Sequence, residues 1–141
     1  MKRTISIFIL LFFGILNCFS QDDIESKLGN TTKVSIEKLI SQQKKFDKKH
    51  VLVCGYPKFE KGVSRIFISK EDFEKNNTTN SVCFQYFIES STYPTVERCD
   101  GKYCKLSGVY ISGKKLGAKK EWKMENGIIS DVRSVILVNE K

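Results

Sequence analysis

Beyond its first sixteen residues the chain has no apolar run long enough to cross a membrane as a helix. It has one histidine, His50, and no Gly-rich loop of the kind that cradles phosphates. No pair of acids sits at a recognisable catalytic spacing, and no Cys-x-x-Cys occurs, so a thioredoxin-like redox pair is excluded. Zinc knuckles want two closely spaced thiolate pairs; Cys99 and Cys104 form one pair, but Cys54 and Cys83 are far apart, so no metal site is expected. A Cys–His nucleophile built on His50 with Cys54 or Cys83 is conceivable, yet nothing around it resembles an elbow, an oxyanion nest or an orienting group. These shortages argue against an enzyme and call for no cofactor.

What the chain does have begins at its N-terminus. Lys2 and Arg3 precede a mostly apolar stretch, Ile5 to Leu16, with the proportions of a secretory signal. Cys18-Phe19-Ser20 offers small residues where a signal peptidase reads, which predicts cleavage before Gln21 and an exported, periplasmic or secreted, product. The rival is lipid attachment at Cys18, although Asn17 suits a lipobox poorly. Removing residues 1–20 leaves 121 of the 141 residues and takes away Lys2 and Arg3 but no acid, lowering the net charge from +8 to +6. That length makes one domain with a real core. The four cysteines left, Cys54, Cys83, Cys99 and Cys104, are too sparse for a disulfide-built miniprotein but permit bridges outside the cytoplasm.

Periodicity supplies the elements. Residues 21–33 are polar and read as a flexible lead-in. Ser35 reads as an N-cap, Glu37 suits the first turn, and Ile36, Leu39 and Ile40 recur at helical spacing, predicting one short amphipathic helix over residues 35–44. Strands are predicted at His50 to Cys54, bent or ended by Gly55-Tyr56-Pro57; at Ser64 to Ser69; at Ser81 to Glu89; and at Tyr103 to Ser112, with one or two more in Glu121 to Val138. Lys70 to Lys75 reads as a helical turn. A faint echo aligns DKKHVLVCG, residues 47–55, with DGKYCKLSG, residues 100–108: a turn feeding a strand that bends at a glycine. It sets Cys104 where Val51 sits, on the core side.

The stretch CDGKYC, residues 99–104, poses its own question. If residues 100–103 form a four-residue hairpin loop, Cys99 and Cys104 face each other within bridging distance; if Asp100-Gly101 is a two-residue turn, they lie on a diagonal too long for an easy bridge. A bridge closing so short a ring would stabilise by less than the usual ~2–4 kcal/mol.

The run FDKKHVLVCGY, followed by ISKEDFEKN, DGKYCKLSGVY and NGIISDVRSVILV, resembles small exported bacterial proteins of the OB-fold type, over roughly residues 34–138. Lys48 departs from the glycine usual at the first of these turns. The resemblance implies a mainly β (α+β) domain: a five-stranded, OB-like, partly open β-barrel preceded by a short amphipathic helix, with residues 139–141 as a tail. It brings no catalytic residues.

Surface charge is the remaining lead. Lys114, Lys115, Lys119, Lys120 and Lys123 cluster around Trp122, and a second set, Lys44, Lys45, Lys48 and Lys49, precedes the first long strand. OB barrels engage ligands with loops and one sheet face, joining cationic grooves to aromatic platforms, for which Trp122, Tyr110, Phe84 and Tyr86 are candidates if they face outward. The same lysines also suit a solvated loop that only keeps the protein soluble. The leading expectation is a non-enzymatic exported binding module whose Lys-rich loop takes an anionic glycan, a lipid headgroup or an acidic protein surface; export argues against nucleic acid. The alternative is a structural envelope protein or lipoprotein without a specific ligand, and the third is the thiol-dependent enzyme.

Overall fold

The structure, a computed structural model, describes residues 30–114 and 124–139. The signal segment 1–20 with Cys18, the lead-in up to residue 29, and residues 140–141 lie outside the described residues. The chain divides into Met1–Thr31 and Thr32–Lys141, and the fold described here belongs to the second unit.

Ser35 caps the first helix, accepting from the Lys38 amide at 3.2 Å. The helical spacing of Ile36 and Leu39 buries both beneath α1, Ile36–Ser41. Gln42 leaves helical geometry (φ −124°, ψ 44°), so the predicted single helix is two: a separate short turn, α2, Gln43–Phe46, buries Phe46. A two-residue strand β1, Thr32–Lys33, precedes them and pairs in parallel with β2, His50–Lys58.

Strict alternation along β2 puts Val51, Val53, Gly55 and Pro57 inside and His50, Leu52, Cys54, Tyr56 and Lys58 outside. The strand does not end at Gly55, as the glycine and proline suggested; it changes partner there. Residues up to Gly55 pair with β5, Cys104–Ile111, and from Tyr56 onward they pair with β3, Ser64–Phe67. A Cβ on Gly55 would sit 2.4 Å from the Phe67 carbonyl oxygen and 2.8 Å from Ile36, so only glycine lets one strand turn this corner. Gly108, its counterpart in the echo, occupies the bulge in β5 between Ser107 and Val109, where a Cβ would meet Ser130 O at 2.6 Å.

The pairings then complete a circuit. β3 runs antiparallel to β4, Ser81–Phe84; β4 runs parallel to β6, Ile128–Leu137; β6 runs antiparallel to β5; and β5 returns to β2. The result is a closed five-stranded mixed barrel of OB-like order, mostly β with a few short helices. The partly open barrel of the expectation is thus closed, and its thinnest seam is β4–β6, where two residue pairs are in register. The interior holds Val51, Val53, Ile66, Val82, Phe84, Leu106, Tyr110 and Ile129, with Ile36, Leu39 and Phe46 joining the same core.

Two expectations fail between β3 and β5. The strand foreseen over residues 81–89 stops at Phe84; Gln85 makes one further bond, to Ile129 O, and Phe87 and Ile88 are exposed. An unforeseen helix, α4, Tyr93–Cys99, follows with Pro94 in its first turn. Cys99 therefore ends a helix, and CDGKYC is a helix-to-strand junction with no hairpin in it. The helical turn at residues 70–75 is present as α3, Lys70–Lys75, capped by Ser69.

Candidate functional site

The lysine cluster falls on the connection between β5 and β6, residues 112–127. Lys114 is described and exposed; Lys115, Lys119, Lys120, Trp122 and Lys123 lie outside the described residues. The two ends of that connection are described in full, and one side chain ties them together. Gln43 of α2 accepts at Oε1 from the Gly113 amide (2.9 Å) and the Ser112 hydroxyl (3.1 Å), while its Nε2 donates to Glu125 O at 2.9 Å. Asp47 accepts from the Ser112 amide at 2.9 Å. On the return side, Asn126 donates to Thr79 O and Ser81 O at 2.8 and 2.9 Å, and the buried Tyr110 hydroxyl donates to Asn126 O at 2.7 Å. The Ser112 and Gly113 amides and the Glu125 and Asn126 carbonyls, which a solvated loop would leave to water, are thus bound to side chains of the barrel and of the segment around α2.

In an OB barrel this connection is one of two loops that flank the ligand face on the second and third barrel strands. Here those strands are β3 and β4. Their outward residues are Arg65, Phe67, Ser81 and Cys83, because Ile66, Val82 and Phe84 point into the core. Arg65 Nη1 donates to Ser81 Oγ at 3.1 Å. Burial pushes the Cys83 thiol above its ordinary range, against the opposing pull of Arg65 and with a smaller push from Glu125. Phe67 is covered by Phe73 of α3, edge to face at 5.9 Å.

Of the aromatic residues considered as platforms, Tyr110 and Phe84 are fully buried, so neither meets a ligand. The alternation in their strands aims both inward. Tyr86 is half-buried against Phe59, with ring centroids 5.3 Å apart.

Cys99 and Cys104 are both buried, and the Cys104 thiol donates to the Cys99 carbonyl at 3.5 Å. Both are free thiols here, as are Cys54 and Cys83. Burial, and then the Cys99 thiol beside it, push Cys104 up to about 12. The junction that brings them together is fixed from outside: Gly101 N donates to Pro57 O at 2.8 Å and Phe59 N to Asp100 Oδ1 at 2.9 Å. His50 sits at the head of β2 with Arg133 Nη2 3.4 Å from its Nε2. Cys54 is four residues further along the same face, roughly 13 Å away at strand rise, too far to share a proton with that imidazole. Among the described residues no group of three or more His, Cys, Asp or Glu side chains is arranged to hold a metal ion. No described helix is long and apolar enough to cross a membrane.

Gln43 went unnoticed in the sequence. Its partners lie 69 to 82 residues away, beyond any spacing rule.

No protein-family model matches the chain, and neither does any curated protein sequence. Among solved structures it is similar to the crystal structure of a Leishmania major Friedlin protein assigned as an aspartyl-tRNA synthetase, at 9% identity and a TM-score of 0.46, over 78% of this chain and 21% of that one. The chain thus spans about a fifth of that protein's length. The OB-like assignment rests on the strand order and the closed circuit of pairings.

Proposed function

We propose that this protein is an exported, non-enzymatic binding module of the OB type, akin to the small exported bacterial proteins it resembles, and that it engages an anionic ligand or an acidic protein surface through Lys114, Lys115, Lys119, Lys120, Trp122 and Lys123. One observation carries the reading: the β5–β6 connection, which holds five lysines, stands where an OB barrel has a ligand loop, and its two ends are clamped by Gln43. A pinned neck lowers the entropy lost when a loop closes on a ligand. The net charge, +8 for the full chain and +6 once residues 1–20 are removed, favours encounter with polyanions at low ionic strength. A sulfated glycan, vesicles rich in anionic lipid, and an acidic polypeptide, titrated in parallel, test the reading. Binding to one of them that weakens with salt and with Lys119→Glu and Trp122→Ala supports it; equal, weak binding of all three by wild type and variants contradicts it.

Export supports a second element of the proposal, a Cys99–Cys104 bridge. Exchange with a small-molecule or protein disulfide would transfer that disulfide bond to the pair and leave two thiols on the reduced donor. The buried, raised Cys104 thiol makes this exchange slow once the barrel has closed, so the bridge forms during folding. Intact mass under iodoacetamide, with and without reduction, reads it: two cysteines alkylated only after reduction support the bridge, and full alkylation of unfolded, unreduced protein rules it out. The same spectrum separates a chain starting at Gln21 from a lipid-bearing chain starting at Cys18.

A further inference from the structure

A surface cavity of about 470 Å³ opens at the other end of β5 from the lysine connection. That volume lies within the range of small-molecule sites. Its apolar wall is made by Tyr56, Tyr103, Leu137 and Val138, and Lys70 and Lys102 also line it; among the described residues no acidic side chain does. The two tyrosine rings meet at 51° with centroids 5.4 Å apart, forming a wedge. Two rings tilted against each other offer no parallel platform for a flat base, and their combined apolar surface suits a puckered ring.

The walls are held before any ligand arrives. Tyr56 is an outward residue of β2, Tyr103 O accepts from the Val138 amide at 2.9 Å, and Lys102 N donates to Cys99 O at 3.0 Å. The edge of the cavity is cationic on two sides, from α3 and from the α4–β5 junction, so its field favours an anion beside the ring.

We propose that this cavity is a binding site for a hexose-sized sugar ring carrying one phosphate or carboxylate, the ring against Tyr56 and Tyr103 and the anion between Lys70 and Lys102. The site lies some seven residues along β5 from the neck of the lysine connection, and it stands whether or not that connection binds anything.

The test is an amide chemical-shift titration of the full protein with glucose 6-phosphate and glucuronate, using glucose and adenosine monophosphate as comparators, up to about 10 mM. At least one of the two anionic sugars is expected to shift Gly101, Lys102, Tyr103 and Val138. Affinity is expected to fall about tenfold in Tyr56→Leu and in Lys102→Glu and to stay unchanged in Lys119→Glu. Both substituted residues are outside the core, and an unchanged spectrum elsewhere confirms that the variants fold. The proposal is overturned if neither sugar binds, if glucose binds as tightly as its phosphate, if adenosine monophosphate binds more tightly than both sugars, or if the shifts fall only at residues 112–127.

Discussion

Cys54 differs from the other three described cysteines in reach. It is half-buried beside Tyr103, whose hydroxyl is raised above the usual range by burial and then by Cys54 itself, whereas Cys83, Cys99 and Cys104 are sealed. In folded, reduced protein at neutral pH, iodoacetamide should therefore modify Cys54 first, and peptide mapping after a short pulse reads the order. The buried thiols also give stability a pH dependence with a definite sign. Cys104 ionises near 9 in a free chain and at about 12 in the fold, so the folded state holds its proton longer. Its contribution is complete below pH 9 and is lost as pH rises from 9 towards 12; the buried Tyr110, also raised, acts in the same direction. Reduced protein should show a level urea midpoint from neutral pH to about 9 and a falling one above it, while a bridged sample should fall less. At the acid end Asp72 works the other way. The Ser69 hydroxyl, Asn80 and Asn77 hold its carboxyl below the ordinary range, so its contribution is present above that range and lost as pH falls through it.

Among the elements, β2 shows what the chain states locally and what it leaves to packing. Its alternation and its glycine are plain in HVLVCGYPK, and the echo with residues 100–108 located both glycine corners. What no local pattern states is that Gly55 is where one strand passes from β5 to β3. Gly55→Ala is expected to cost about 1–3 kcal/mol, since the new methyl meets a backbone oxygen that cannot give way; a urea melt checks it. The stretch SVCFQYFIE has six apolar residues in nine, which suggests one long strand, but Gln85 leaves the sheet and Phe87 remains 79% exposed. Helix α4 escaped notice because it buries only Cys99, leaving no apolar stripe to detect. The candidate site was half legible for the same reason: composition marks its lysines, and nothing local marks the clamp. Gln43→Ala removes three neck bonds from a half-buried position and should cost about 1–3 kcal/mol of stability at most. If the clamp positions the loop, the same change also weakens polyanion binding at a temperature where the barrel remains folded.

At the scale of the whole molecule, a net charge of +8, or +6 without residues 1–20, attracts any polyanion weakly, so binding alone does not locate a site. Position in the chain supplies the distinction: Lys119 and Lys120 belong to the β5–β6 connection, whereas Lys38 stands on α1 and Lys49 just before β2. Long-range attraction depends on the total charge and is screened beyond roughly 8 Å at physiological salt, whereas contact depends on position. The decisive measurement compares the affinity for a sulfated glycan, across a salt series, of wild type, Lys119→Glu/Lys120→Glu and the charge-matched Lys38→Glu/Lys49→Glu. A binding connection loses at least about tenfold affinity, and part of its salt dependence, only in the first variant. Equal losses in both variants would mean that the protein is merely a basic surface, and would contradict a ligand loop between β5 and β6.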